Sequence, residues 1–277
     1  MKLAALLLVA APAFALPLHV REGDVQALAQ LTDPQGQALA DGHYTQVLVG
    51  EVLYIEATFD YPDGRKVLEK AQLRLHPQLE QLSWSRLESK GDQPVRRYSM
   101  DFATRKATAE HLAEQKHWEE QVDVDPGKTF AGIAFNYAVK NLRKELAKGG
   151  TIKLHAIAFT PKPRAAEVTV RRDGDDRIRM AGREILADKY TIHPEIPAIA
   201  KLFISVPDQF IWLWRGEPAA FLRFEGPSAE PKDPILRIDT IAGPRARIGR
   251  HPAEQAAPSA RAPKPSRRPG AARSPGK

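Results

Sequence analysis

Residues 125–150, DPGKTFAGIAFNYAVKNLRKELAKGG, form the one long helical pattern in a chain that otherwise reads as short strands. Asp125 ahead of Pro126 fits a helix N-cap followed by proline at the first helical position, where its missing N–H costs nothing. Phe130, Ile133, Ala134, Tyr137, Leu142 and Leu146 fall on one side of such a helix, and Lys140, Arg143, Lys144 and Lys148 fall mostly elsewhere. The basic last turn suits the negative end of the helix dipole, and Gly149-Gly150 supplies residues that end a helix in the left-handed conformation. We therefore expect a helix over 128–148 with one apolar face that the rest of the chain must cover.

On both sides the pattern changes to period two. Upstream, Leu53, Ile55, Ala57, Phe59 and Tyr61 alternate with polar neighbours, Tyr61-Pro62-Asp63-Gly64 marks a turn, and Val67, Ala71, Leu73 and Leu75 continue in a returning strand. Residues 79–87, 96–102, 106–111 and 116–122 read as further strands, and 25–31 as a short helix. Downstream, 152–158 reads as a strand. Val168 and Val170, then Asp173-Gly174, then Ile178 and Met180 read as a hairpin. Strands follow at 186–192, 210–214, 220–224 and 235–239, with a helical turn through Lys201 after the prolines at 194 and 197. Short connections without repeated crossover helices favour antiparallel pairing. The expected fold is α+β, mainly β: one curved antiparallel sheet, a half-barrel, packed around a single long amphipathic helix, in one domain over residues 17–242.

The ends differ from this middle. Residues 1–15 carry Lys2, a short apolar run and Ala13-Phe14-Ala15, the pattern of a secretory signal cleaved after Ala15, and the run is too short to span a bilayer. A periplasmic location follows as an expectation. The chain has no cysteine, so neither a disulfide nor a lipobox anchor is available. Residues 243–277 are rich in Pro, Ala, Arg, Ser and Gly and are expected to be disordered. They hold Arg245, Arg247, Arg250, Arg261, Lys264, Arg267, Arg268, Arg273 and Lys277 against Glu254, a net of +8 in a chain of +7, which leaves −1 for residues 1–242. A near-neutral fold with a basic tail does not point to nucleic acid. The tail reads as a solubilising extension or as a tether to an anionic envelope surface.

No motif assigns catalysis. Gly127-Lys128-Thr129 lacks the earlier glycine of a phosphate loop, since Val122 stands there. His111 and His117, near Glu119 and Glu120, are the densest set of metal-ligand types, but six residues of strand separate two side chains by roughly 20 Å. No serine sits in a nucleophile elbow. We assign no catalytic residue, metal or cofactor; a hydrolase with a site dispersed over several strands stays as an alternative. Phe210, Trp212 and Trp214 share one strand face, and Ile211 and Leu213 the other. A strand apolar on both faces packs between layers or lines a cavity. Phe130, Ile133 and Tyr137 on the helix, with Phe210, Trp212 and Trp214 on this strand, are the candidate apolar ligand site.

Residues 182–227, GREILADKYTIHPEIPAIAKLFISVPDQFIWLWRGEPAAFLRFEGP, resemble uncharacterised bacterial periplasmic β-rich proteins. Tyr190, Ile192, Trp212, Trp214, Pro218, Leu222 and Arg223 carry the likeness, and the architecture is similar to the periplasmic lipoprotein-carrier half-barrels. The resemblance implies an exported, non-enzymatic protein that binds or carries an apolar or lipid-like envelope component. A structural protein of the envelope, working through its tail, is the other reading.

Overall fold

Fifteen strands hydrogen-bond into one sheet in the computed structural model, which describes residues 16, 18–20, 22–180, 182–196 and 206–242, with 241 and 242 by backbone alone. The strands β1 (Val25–Thr32), β2 (Ala38–Val49), β3 (Val52–Asp60), β4 (Arg65–Arg74), β5 (Glu80–Lys90), β6 (Gln93–Asp101), β7 (Lys106–His111) and β8 (Lys116–Gln121) form an antiparallel meander. A second meander comprises β10 (Thr151–Phe159), β11 (Pro163–Met180), β12 (Arg183–Pro194), β13 (Gln209–Trp214), β14 (Phe221–Pro227) and β15 (Ile235–Ala242). The meanders join where β1 pairs with β15, Ala29 opposite Thr240. The edges of the sheet therefore come from the middle of the chain: β8 on one side and the two-residue β9 (Thr129–Phe130) on the other. The sheet is not closed by hydrogen bonds, but it curls until β11 meets β7 and β8, and Lys162 reaches Glu120 at 3.3 Å.

The expected α+β half-barrel is present, and one connection departs from antiparallel order. β9 runs parallel to β10, and the helix α1 (Phe135–Leu146) crosses between them. The helix starts later than its sequence pattern does. Asp125 caps nothing: its carbonyl accepts the N–H groups of Lys128 and Thr129 at 3.0 Å in a turn, and Gly127 has a positive φ of 75°. Residues 129–131 are extended because tertiary partners satisfy their backbone. Ala131 N–H donates to Gln81 Oε1 at 2.7 Å, and Gln81 Nε2 donates back to the Ala131 carbonyl at 3.2 Å. A 3₁₀ turn over Gly132–Ala134 then leads into the helix. At the other end Arg143 and Lys144 occupy the last turn, and Gly149 and Gly150 take φ of 89° and 93°, as the sequence anticipates.

One apolar face understates the cover on α1. Every residue from Phe135 to Leu142 is buried. The sheet takes one side, and the segment that includes His19, Val20 and Glu22 crosses the other as a strap. Asn141 Oδ1 accepts the N–H groups of His19 and Val20 at 2.7 and 3.0 Å, and Lys140 Nζ donates to both oxygens of Glu22 at 2.9 and 3.1 Å.

Two local readings, a short helix and a hairpin turn, need correction. Residues 25–31 are strand, not helix: Ala29 and Leu31 point into the core and β1 pairs on both edges, which outweighs the helix propensity of Ala, Leu and Gln. Asp173-Gly174 is a β-bulge, not a turn, inside the 18-residue β11. Arg172 faces Tyr190 and Gly174 faces Lys189, so even-numbered residues change faces across the bulge. Before it, Val168 and Val170 join the main core. After it, Ile178 and Met180 join a second cluster with Ala187, Trp212 and Leu222. The helical turn through Lys201, the leader at 1–15 and the tail from 243 onward lie outside the described residues.

Gly132 is the tightest point of this arrangement. A Cβ there would stand 2.1 Å from Trp84 Nε1 and 2.3 Å from Glu69 Oε1, at a φ of 52°. We expect Gly132→Ala to destabilise the fold by roughly 2–4 kcal/mol, with clash added to backbone strain. Gly149→Ala, at φ 89° with nothing within 4 Å, should cost only about 1–2 kcal/mol. Urea unfolding midpoints at unchanged slope compare the two.

Candidate functional site

Small residues at inward positions leave volume that the helix does not fill. Ala29, Ala57 and Ala156 face a cavity of about 160 Å³, with Gly132, Ile133, Phe135 and Asn136 at the start of α1 as its opposite wall. Phe59, Trp84, Phe159, Phe221, Phe224 and Ile238 add large apolar side chains to the lining. Trp84 and Phe159 stack with centroids 5.3 Å apart, fixing one corner. A groove of about 400 Å³ adjoins the cavity and shares Ala156, Ile157, Phe159, Gln209, Pro227 and Ala229 with it. The groove continues past Thr160, Arg164 and Val168 to Ile196 and Val206, the described residues on either side of 197–205.

A charged frame supports this apolar interior. Glu69 Oε1 accepts the Trp84 indole N–H and the Ile133 backbone N–H, both at 2.8 Å, and Glu69 Oε2 lies 3.5 Å from Arg86. Arg86 also donates to Glu88 at 2.9 Å and to Ser228 Oγ at 2.9 Å. Burial opposes the charge on Arg86, but Glu88 and Glu69 outweigh it and the guanidinium holds its proton more firmly than usual. Behind the cavity the hydroxyls of Tyr44 and Tyr137 bond to each other and to Gln46, and burial pushes both phenols well above their ordinary value.

The β14–β15 loop, residues 228–234, roofs the junction of cavity and groove and is fastened to the other meander. Ser228 binds Arg86. Asp233 takes Arg96 at 3.0 Å. Glu230, almost fully buried, accepts from Tyr98 at 2.9 Å and lies 2.6 Å from His111 Nε2. His111, a possible metal ligand by residue type alone, is thus turned inward onto Glu230, while His117 lies near Glu110 and Glu119 on the surface. Among the described residues no group of three or more metal-ligating side chains converges.

The structure does not bring the six expected ligand-site residues together. Phe130 and Tyr137 are core, Ile133 lines the cavity, and Phe210, Trp212 and Trp214 lie on the opposite face of the sheet. The register gives the reason. Ile211 and Leu213 are fully buried on the inner face, so their neighbours point outward. There Trp212 packs on Ile178 and Ala187, donates to Asp176 at 2.7 Å and lies under Lys189 at 5.2 Å, while Trp214 is 42% exposed. A strand apolar on both faces is here covered outside by a bulged hairpin and cationic side chains. The lining residues that sequence reading passed over are Asn136, Glu69, Arg86, Gln209 and the aromatic residues of β14. Their one visible sign was Ala57, an alanine in the inward series Leu53, Ile55, Ala57, Phe59.

No protein-family model and no curated protein matches the chain. Among solved structures it is similar to the crystal structure of a beta-barrel-like protein of domain of unknown function DUF1849 from Brucella abortus, at 12% identity and a TM-score of 0.48 over 80% of this chain and 98% of that one.

The loop fastening is acid-sensitive through Asp233. Burial alone would raise its carboxyl, but Arg96 and the N–H groups of Glu230 and Ala229 hold it below the ordinary 3.8. A folded-state value below the unfolded one stabilises the loop above pH 3.8, and that contribution is lost as pH falls through 3.8 toward the folded value. Amide exchange at Ala229 and Glu230, corrected for intrinsic rates, should accelerate below that pH. Asp233→Asn should remove the pH dependence and leave fast exchange throughout.

Proposed function

We propose that this protein is an exported, non-enzymatic binder that holds or carries an apolar component of the cell envelope. The observation that carries the reading is the cavity of about 160 Å³ between the first turn of α1 and the sheet, with its adjoining groove. An apolar cavity near 150 Å³ is large enough to take up a benzene-sized guest, and the groove falls within the roughly 300–1,000 Å³ range of small-molecule sites. Export rests on the leader pattern of residues 1–15, and no described helix is long and apolar enough to cross a membrane. Native mass spectrometry of protein purified without detergent should reveal an apolar adduct, and the neutral dye N-phenyl-1-naphthylamine should bind. Repeated bare mass together with no dye binding would sink the proposal. Ala156→Leu, which fills the space shared by cavity and groove, should weaken dye binding at least about tenfold at a stability cost of no more than about 1–3 kcal/mol.

A second reading rests on charge. The +8 of residues 243–277 beside −1 for the remainder suits a tether to anionic envelope surfaces, at about 1 kcal/mol per basic residue near such a surface. Deleting 243–277 should then release the protein from membrane fractions at low salt, and unchanged fractionation would exclude this role.

A further inference from the structure

The cavity wall contains a polar group on the helix that the fold leaves unused. Asn136, in the first turn of α1, is only 6% exposed and lines the cavity. The other buried Asn and Lys residues on the same helix are matched: Lys140 by Glu22, and Asn141 by two strap N–H groups and the Tyr137 carbonyl. The Asn136 side-chain amide has no hydrogen-bond partner among the described residues. Neither polar atom of this amide is among the fully enclosed side-chain atoms that lack a partner, so the amide keeps accessible surface and can hydrogen-bond what enters the cavity.

We propose that the cavity's ligand is a neutral amphiphile: an apolar body carrying one hydrogen-bonding group, a hydroxyl or an amide or ester carbonyl, that docks on the Asn136 amide. This rests on the apolar-binder reading above and specifies its ligand class. Neutrality follows from the remaining walls. The two charged side chains that line the cavity, Glu69 and Arg86, face each other, and Arg86 has its other donors on Glu88 and Ser228. Among the residues that line the cavity itself no unpaired cation awaits an anionic head, so an ionised carboxylate held there would be desolvated without compensation. Gln209, at the junction of cavity and groove, likewise has no side-chain partner among the described residues and marks the side from which a polar end is met next.

Benzyl alcohol, toluene and benzoate are matched probes for a cavity of this size. Their dissociation constants are measured by NMR titration of the full chain and of Asn136→Leu, with Asn136→Ala as a second variant should the first pack badly. The expected result is that either substitution weakens benzyl alcohol about tenfold more than it weakens toluene, the ratio of one neutral hydrogen bond. Benzoate should bind the unaltered chain more weakly than either, and the Asn136 side-chain NH₂ resonances should move with benzyl alcohol and not with toluene. Equal losses for benzyl alcohol and toluene would overturn the role of Asn136 while leaving the apolar cavity intact. Failure of both probes to bind the unaltered chain would instead overturn the binder reading beneath it.

Discussion

One buried carboxylate decides where the helix begins. Glu69 projects from β4 into the curve of the sheet, and its oxygen takes the Ile133 N–H together with the Trp84 indole. With Ile133 held there and Ala131 held by Gln81, residues 129–133 cannot continue the helix backward, and the chain passes through Gly132 in the left-handed region. The negative charge also lies at the positive end of α1, where it is favoured. The helix is therefore short, its first turn stands off the sheet, and the space between is the cavity. A helix that began at residue 128 would run its first two turns through that space.

The other buried charges act in the same positional way. Glu22 with Lys140 sets the strap on the helix, and Asp188 with Arg172 at 2.7 Å, with Arg143 and Arg215 close by, sets the bulged part of β11 against β12 and the end of α1. Buried ion pairs contribute little net stability because desolvation offsets their attraction. The continuous apolar core supplies that, and the pairs determine which strap, loop and helix end dock where. The roof loop at 228–234 is the clearest case, since all three of its fastenings lead to the opposite meander and not to neighbouring strands.

Local periodicity made most strands and the fold class legible. The β3–β4 hairpin, the 106–111 strand and the glycine stop after the helix depend on neighbours in sequence, so they could be read directly. The failures share a cause. Asp125-Pro126 has helix-start chemistry, but partners on β4 and β5 claimed the following backbone; 25–31 has helix-forming composition, but lies between two strands. Asp173-Gly174 has turn chemistry, yet supplies the bulge that reverses β11's faces. The candidate site was half legible for the same reason: alternation separates Phe210, Trp212 and Trp214 from Ile211 and Leu213, but only the closed register says which set faces the helix. Asn136 carried no local sign of its place, because the sheet residues that share the cavity with it, such as Ala29, Ala57 and Ile238, lie far from it in sequence.

The pairing of β1 with β15 has a consequence for how the chain reaches this state. Each meander is assembled from near neighbours, but the seam between them joins β1 to β15, so it cannot form until the chain is available as far as residue 242. Until then β1 keeps an unpaired edge, and the core strands that depend on both arms stay partly wet. Contacts of such long sequence separation slow folding, because loop-closure entropy is lost before the pairing compensates for it. A chain organised this way favours completion before commitment: neither arm holds the helix alone, and the interior comes into existence only when the final strand arrives.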